Sequence, residues 1–182
     1  MNEERKMNYK KYIESTLDFP KPGVIYWDFT PLLMNPDVFN RAICEMRDYF
    51  DAKGVTKIAA IESKGFTIGS ALAMKMGKPL VLIRKPHLTP GKTRSEDFVK
   101  EYGKATYQMK QGVVSQEDRV LVVYDIMAGA GASEARIKLI ERSGASVVGL
   151  AYVIELEYLN GREGLAKYDT FSLVKIEKKE LK

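Results

Sequence analysis

The feature that most narrows the fold is an alternation. Apolar runs of strand length, "TKIAAIES" at 56–63, "PLVLIRK" at 79–85, "RVLVVYD" at 119–125 and "SVVGLAYVIEL" at 146–156, stand between segments with helical spacing. Strands that are apolar on both faces must be covered on both, which places them in a buried, largely parallel sheet. Asn35 before Pro36 opens one helix, "NPDVFNRAICEMRDYF", in which Phe39, Ile43, Met46 and Phe50 recur three or four residues apart. Gly77 stops a second, "FTIGSALAMKM", and Gly144 a third, "SEARIKLIERSG", with Ala135, Ile137, Leu139 and Ile140 inward. "KATYQMK" and "YDTFSLVKI" read as further strands. The expected fold is α/β, a mostly parallel central sheet flanked by helices. Ligands in such sheets lie beyond the carboxyl ends of the strands, so the loops after Ile61, Ile83 and Val123 should share one face.

At 182 residues and 45% hydrophobic content the chain suits a single domain, 1–182, with a core that needs no disulfide or metal. Cys44, the only cysteine, falls in a helical segment and reads as a small core residue, which points to a reducing, cytoplasmic setting. No apolar run approaches the roughly 18 residues a bilayer demands, and "MNEERKMNYKKY" lacks a signal peptide's hydrophobic stretch, so no membrane role is expected. The net charge of +5 is scattered, without a basic stripe interleaved with aromatics. That argues against nucleic acid and for small phosphorylated ligands. From Pro86 to Lys100 the chain shows no apolar period and reads as a long functional loop, with the only histidine, His87, solvated on it.

The strand at 119–125 runs into "IMAGAGAS", a loop almost without side chains, and then into a helix. Gly129 and Gly131 permit positive φ, the alanines permit close approach of a ligand, and the helix start offers unpaired amides and the positive end of a dipole. A phosphate fits such a place, with Ser133 either capping the helix or donating its hydroxyl to the ligand. A Walker loop is excluded because no lysine occurs before Lys138, and Glu134 breaks a dinucleotide fingerprint. A third design places an acid at the strand end for ribose hydroxyls and wraps a sugar's terminal phosphate in the loop.

That pattern resembles the type I phosphoribosyltransferases, and within them the adenine phosphoribosyltransferase family. The segments that carry the resemblance are "DFPKPGVIYWDFTPLL", "IESKGF", "LIRKP", "KEYGKA" and "VLVVYDIMAGAGAS", in that order over roughly Tyr12 to Val174. The resemblance implies that adenine displaces pyrophosphate from phosphoribosyl pyrophosphate to give AMP, with Mg2+ bound mainly through the donor. Ile25 and Trp27 would read adenine through backbone groups, with Tyr26 stacked on it. Lys64, Arg84 and Lys85 would grip pyrophosphate, and the peptide joining Glu62 to Ser63 would be cis. Glu101 would manage the proton near N7 of the base, and 86–100 would be a flexible lid. Asp125 would hold the ribose, and Ala128, Gly129, Ala130, Gly131, Ala132 and Ser133 the terminal phosphate. A homodimer is implied too.

The sequence also departs from the family. Tyr124 replaces one of two adjacent acids, Gly129 and Ala132 replace two threonines, and Lys64 and Trp27 replace arginines. Each missing hydroxyl forfeits a hydrogen bond to a charged phosphate worth about 1.5 to 3 kcal/mol. Two other readings stay open on these changes: a purine- or nucleotide-binding regulatory protein that has lost efficient donor chemistry, and a transferase with another base or donor.

Overall fold

The structure is a computed structural model and describes residues 7–100 and 103–180. The chain falls into two compact units, Met1–Ala42 and Ile43–Lys182.

In the first unit a 3-10 turn, Tyr9–Tyr12, precedes two short antiparallel strands, β1 (Glu14–Leu17) and β2 (Ile25–Asp28). Their connection turns through a cis Phe19–Pro20 bond and a hydrogen bond of 2.6 Å from the Gly23 amide to Asp18 Oδ1. Asp28 Oδ1 then accepts from both the amide and the hydroxyl of Thr30, at 3.1 and 2.8 Å, which starts the single turn α1 (Thr30–Leu33). Helix α2 (Pro36–Phe50) opens as expected, with Asn35 Oδ1 accepting from the Val38 amide at 3.2 Å. Its Val38, Ala42, Ile43, Met46 and Phe50 are buried, Phe39 is half-buried, and Cys44 is half-buried without a disulfide.

The second unit is built on a seven-stranded sheet in the order β5-β6-β4-β3-β7-β8-β9. Its strands are β3 (Lys57–Ile61), β4 (Leu80–Arg84), β5 (Thr93–Lys100), β6 (Gly103–Lys110), β7 (Arg119–Met127), β8 (Ser146–Leu156) and β9 (Thr170–Ile176). The pairs β4–β3, β3–β7, β7–β8 and β8–β9 are parallel, while β5 and β6 form an antiparallel hairpin on the β4 edge. Helix α3 (Gly65–Met76) covers β3 and ends in the left-handed cap of Gly77, at φ 61°. Helix α4 (Gly131–Glu141) packs its buried Ala135, Ile137, Leu139 and Ile140 into a core with Val120, Val122, Leu150 and Tyr152. This is the mostly parallel, helix-flanked sheet that the alternation of apolar runs implies.

One segment corrects the sequence reading. Residues 93–100, taken as part of a loop, form strand β5, fully paired with β6. The inward positions are Glu96 and Phe98, both buried, and Glu96 forms an ion pair with Arg142, the residue that follows α4. A carboxylate at an inward position conceals the two-residue period that marks a strand.

Candidate active site

Because β4, β3 and β7 lie side by side and run parallel, the segments that follow them emerge at one edge of the sheet. After β3 the Glu62–Ser63 peptide is cis. Lys64 directly precedes α3, and its charge acts on Asp125 of β7. After β4, Arg84 and Lys85 both meet Glu62. Arg84 Nη2 stands 2.8 Å from Glu62 Oε1, and the Lys85 amide donates to Oε2 at 3.1 Å. Burial works against ionised Glu62, but Arg84 and the Lys85 amide hold its carboxyl below the ordinary value. Arg84, expected to grip pyrophosphate, is thus held in place at the strand end by Glu62. Its guanidinium is engaged with Glu62 and the Leu88 carbonyl, and its Nε is buried without a partner. The Lys85 side chain is exposed.

Tyr124 and Asp125 lie near the end of β7, which closes at Met127. Asp125 is 8% exposed, and its Oδ1 is buried without a partner. Burial raises its pKa, opposed by the backbone amides of Ile126 and Asp125 and by the charges of Arg136 and Lys64. The Tyr124 ring packs over the Arg136 guanidinium, whose Cζ is 3.7 Å from the ring centroid. Burial, and then the Asp125 charge, push the phenol upward, so it is neutral at working pH.

The loop after β7 carries Gly129 and Gly131 exposed, and a Cβ built on Gly129 would meet no atom within 4 Å. Neither glycine takes a positive φ, contrary to the sequence reading; Gly129 leaves room above the main chain rather than allowing a special turn. Helix α4 starts after Ala130 without a side-chain cap. The amides of Gly131 and Ala132, at its first two positions, are donors that the helix itself cannot satisfy. Ser133 does not cap the helix: its amide donates to the Ala130 carbonyl at 2.9 Å, and its buried hydroxyl pairs with Tyr152 at 2.8 Å. From Ala128 to Ala132 the loop main chain is almost bare of side chains.

The support beneath this loop was not read from sequence. A Cβ on Gly161 would fall 1.8 Å from the Ala128 carbonyl oxygen, and one on Gly164 would fall 2.4 Å from Ala130 Cβ. Between those glycines Arg162 forms a two-pronged ion pair with Glu155 and donates to the Thr170 carbonyl at 3.0 Å. The available signal was "NGREGL", two glycines around an arginine without strand or helix period.

In the first unit Ile25, Tyr26 and Trp27 form β2, paired only with β1 in the two-stranded sheet. Tyr26 meets Phe19 edge to face, with centroids 5.2 Å apart, and Trp27 is buried with its Nε1 unpartnered. Glu101 lies outside the described residues.

A parallel sheet with a carboxylate at the end of its central strand, a side-chain-poor loop opening the next helix, and cations on the neighbouring strand ends has the architecture of a type I phosphoribosyltransferase. No family model matches the chain. Over 170 residues it is 42% identical to an adenine phosphoribosyltransferase of Solidesulfovibrio magneticus, covering 93% of this chain and 99% of that protein. The crystal structure of adenine phosphoribosyltransferase from Thermoanaerobacter pseudethanolicus superposes with a TM-score of 0.89 at 34% identity, covering 92% of this chain and 98% of that one. The enzyme from Giardia lamblia, complexed with 9-deazaadenine, gives a TM-score of 0.88 at 27% identity, covering 92% and 96%. The chain belongs to the adenine phosphoribosyltransferase family.

Proposed function

We propose that the protein is a purine salvage enzyme that joins adenine to phosphoribosyl pyrophosphate, giving AMP and pyrophosphate. N9 of adenine bonds to C1 of the ribose as the bond to the pyrophosphate oxygen breaks, and the base gives up a proton. The observation that carries this reading is the cradle of Ala128 to Ala132 at the start of α4, beside the unpartnered carboxylate oxygen of Asp125.

Each chemical demand has a residue to meet it. The orphan amides hold the terminal phosphate. Asp125 accepts the ribose hydroxyls, and its family neighbour acid is absent because Tyr124 stands there. Lys64 and Lys85 offset charge that grows on the leaving pyrophosphate, while Arg84 acts from its place on Glu62. Ile25, Tyr26 and Trp27 take the adenine, and Glu101 handles the proton near N7. The hairpin segment 86–100 is the lid that keeps water from the donor. Among the described residues no three His, Cys, Asp or Glu side chains gather into a metal site, while the orphaned Asp125 oxygen suits a cation carried by the donor. Mg2+ bound in that way neutralises charge on the pyrophosphate.

A homodimer working in the cytoplasm completes the reading; among the described residues no helix is long and apolar enough to cross a membrane. Similarity to adenine phosphoribosyltransferases over nearly the whole chain supports a transferase over a binding protein. Purified protein incubated with adenine, phosphoribosyl pyrophosphate and Mg2+ should release AMP and pyrophosphate in equal amounts. Micromolar adenine or AMP binding with no product would replace this reading with the regulatory one.

A further inference from the structure

Arg136 is the polar group for which the reaction above has no use. It lies on the inner face of α4 and is 3% exposed. Its Nη2 donates to the Tyr107 hydroxyl at 2.8 Å, and its Cζ is 5.1 Å from the Tyr107 ring centroid and 3.7 Å from that of Tyr124. Its Nε is buried with no partner. Among the described residues its hydrogen-bonding partner is thus a phenol and not a carboxylate. Desolvating a guanidinium is expensive unless charge and hydrogen bonds compensate, and two ring faces with the nearby charge of Asp125 supply only part of that. Ordinary core packing would place a leucine or alanine here, as at Ala135, Leu139 and Ile140.

The surroundings indicate what the guanidinium holds. Tyr107 belongs to β6, Tyr124 and Asp125 lie near the end of β7, and α4 begins at the phosphate loop, so one side chain ties together the three elements around the donor site. The Tyr124 ring is half-buried and bounded on another side by the start of α3, where a Cβ on Gly65 would meet its Cδ2 at 3.2 Å. Tyr107 is fixed in turn by stacking on Phe98, at 4.6 Å and 12°. The clamp on the Tyr124 ring is therefore the α3 backbone on one side and the plane of Arg136 on another. Four residues separate Tyr124 from Gly129, where a Cβ would face open space.

We propose that Arg136 is a positioning residue of the donor site: it holds the Tyr124 ring against α4, clear of the loop, so that a sugar phosphate can enter. This rests on the reading of the β7 end and its loop as the place where phosphoribosyl pyrophosphate binds. Lysine cannot substitute, because the contact is made by a planar face rather than by charge alone.

Steady-state rates measured with the donor varied at saturating adenine, and the reverse, test it. Arg136→Met should raise the donor KM by about tenfold or more while the adenine KM stays within about twofold. Arg136→Lys should behave like Arg136→Met. Removing the released ring should relieve the block, so Arg136→Met with Tyr124→Ala should have a lower donor KM than Arg136→Met alone. A double variant no better than the single, or full activity in Arg136→Lys, overturns the proposal. If Arg136→Met fails to fold, Tyr107→Phe removes the acceptor that aims the guanidinium, along with a hydroxyl that also meets the Tyr124 phenol. It should raise the donor KM in the same direction, and an unchanged donor KM overturns the proposal as well. Gly129→Ala, whose Cβ enters open space, separates this idea from its foundation. If it raises the donor KM while the Arg136 and Tyr107 variants do not, only the role of Arg136 falls. If none of them moves the donor KM, the donor-site reading itself falls.

Discussion

Gly161→Ala is the substitution whose outcome the structure constrains most tightly. The new Cβ would lie 1.8 Å from the Ala128 carbonyl oxygen and 3.0 Å from its carbonyl carbon. Ordinary carbon–oxygen contacts begin at about 3.3 Å, so one backbone must move by roughly 1.5 Å. Overpacking of that kind typically costs about 1 to 3 kcal/mol. The two sides differ in stiffness. The turn that carries Gly161 is anchored by Arg162 on Glu155 and on the Thr170 carbonyl, whereas the loop rises to an exposed Gly129 with no neighbour above it. The displacement therefore goes into the loop, where misplacing a binding group by about 1 Å can cost up to a hundredfold. The expected result is a donor KM raised by at least about tenfold, an adenine KM within about twofold, and a melting temperature lowered by only a few degrees. Initial rates against each substrate, with thermal melts of the same preparations, provide the measurement. A large drop in melting temperature with an unchanged donor KM would mean that the turn yields instead of the loop, and the buttressing argument would be refuted.

Asp125→Asn should separate stability from function. Burial raises this carboxyl in the folded chain, so wild-type stability falls as pH climbs from the unfolded carboxyl's ordinary range through the raised folded value. The asparagine variant should therefore melt higher than wild type at pH 7 while losing at least about tenfold in kcat/KM for the donor, and a variant that keeps full turnover removes the carboxylate from ribose binding. Asp118 behaves oppositely. Burial works against its charge, but Lys57, the Ser115 amide and hydroxyl, and Thr56 hold its pKa at about 2. Its contribution, up to about 2 kcal/mol, should be fully present above about pH 4 and lost as pH falls through about 2, and Asp118→Asn should flatten that part of an acid titration of stability. Glu101→Ala should lower kcat by about a hundredfold with little change in melting temperature; a loss under about tenfold is too small for a proton-transfer role.

The limits of the sequence as a guide follow from what each signal depends on. The edge of the sheet where the site lies was legible because three buried apolar runs, ending at Ile61, Arg84 and Met127, have few ways to pack, and parallel neighbours bring their ends together. Strands β1 and β2 were not legible: β1 is exposed along its whole length, so hydropathy has nothing to alternate. Strand β5 was hidden by Glu96, which reads as solvent-facing until Arg142, just after α4, is placed against it. Within the site the difference is sharper. Loop length and the absence of side chains at 128–132 are local facts, and they point to a cradle there. The destination of the Ser133 hydroxyl depends on Tyr152, a residue of the next strand, and the use of Arg136 depends on Tyr107 in the hairpin. In both cases the residue is polar, faces inward from a helix whose other inward residues are apolar, and finds a phenol. A buried polar side chain must be satisfied somewhere, so its presence in an apolar stripe announces a partner without naming it. The departure at Tyr124 looks like a loss only when it is compared with its family counterpart alone. Placed beside Arg136, it is half of a contact.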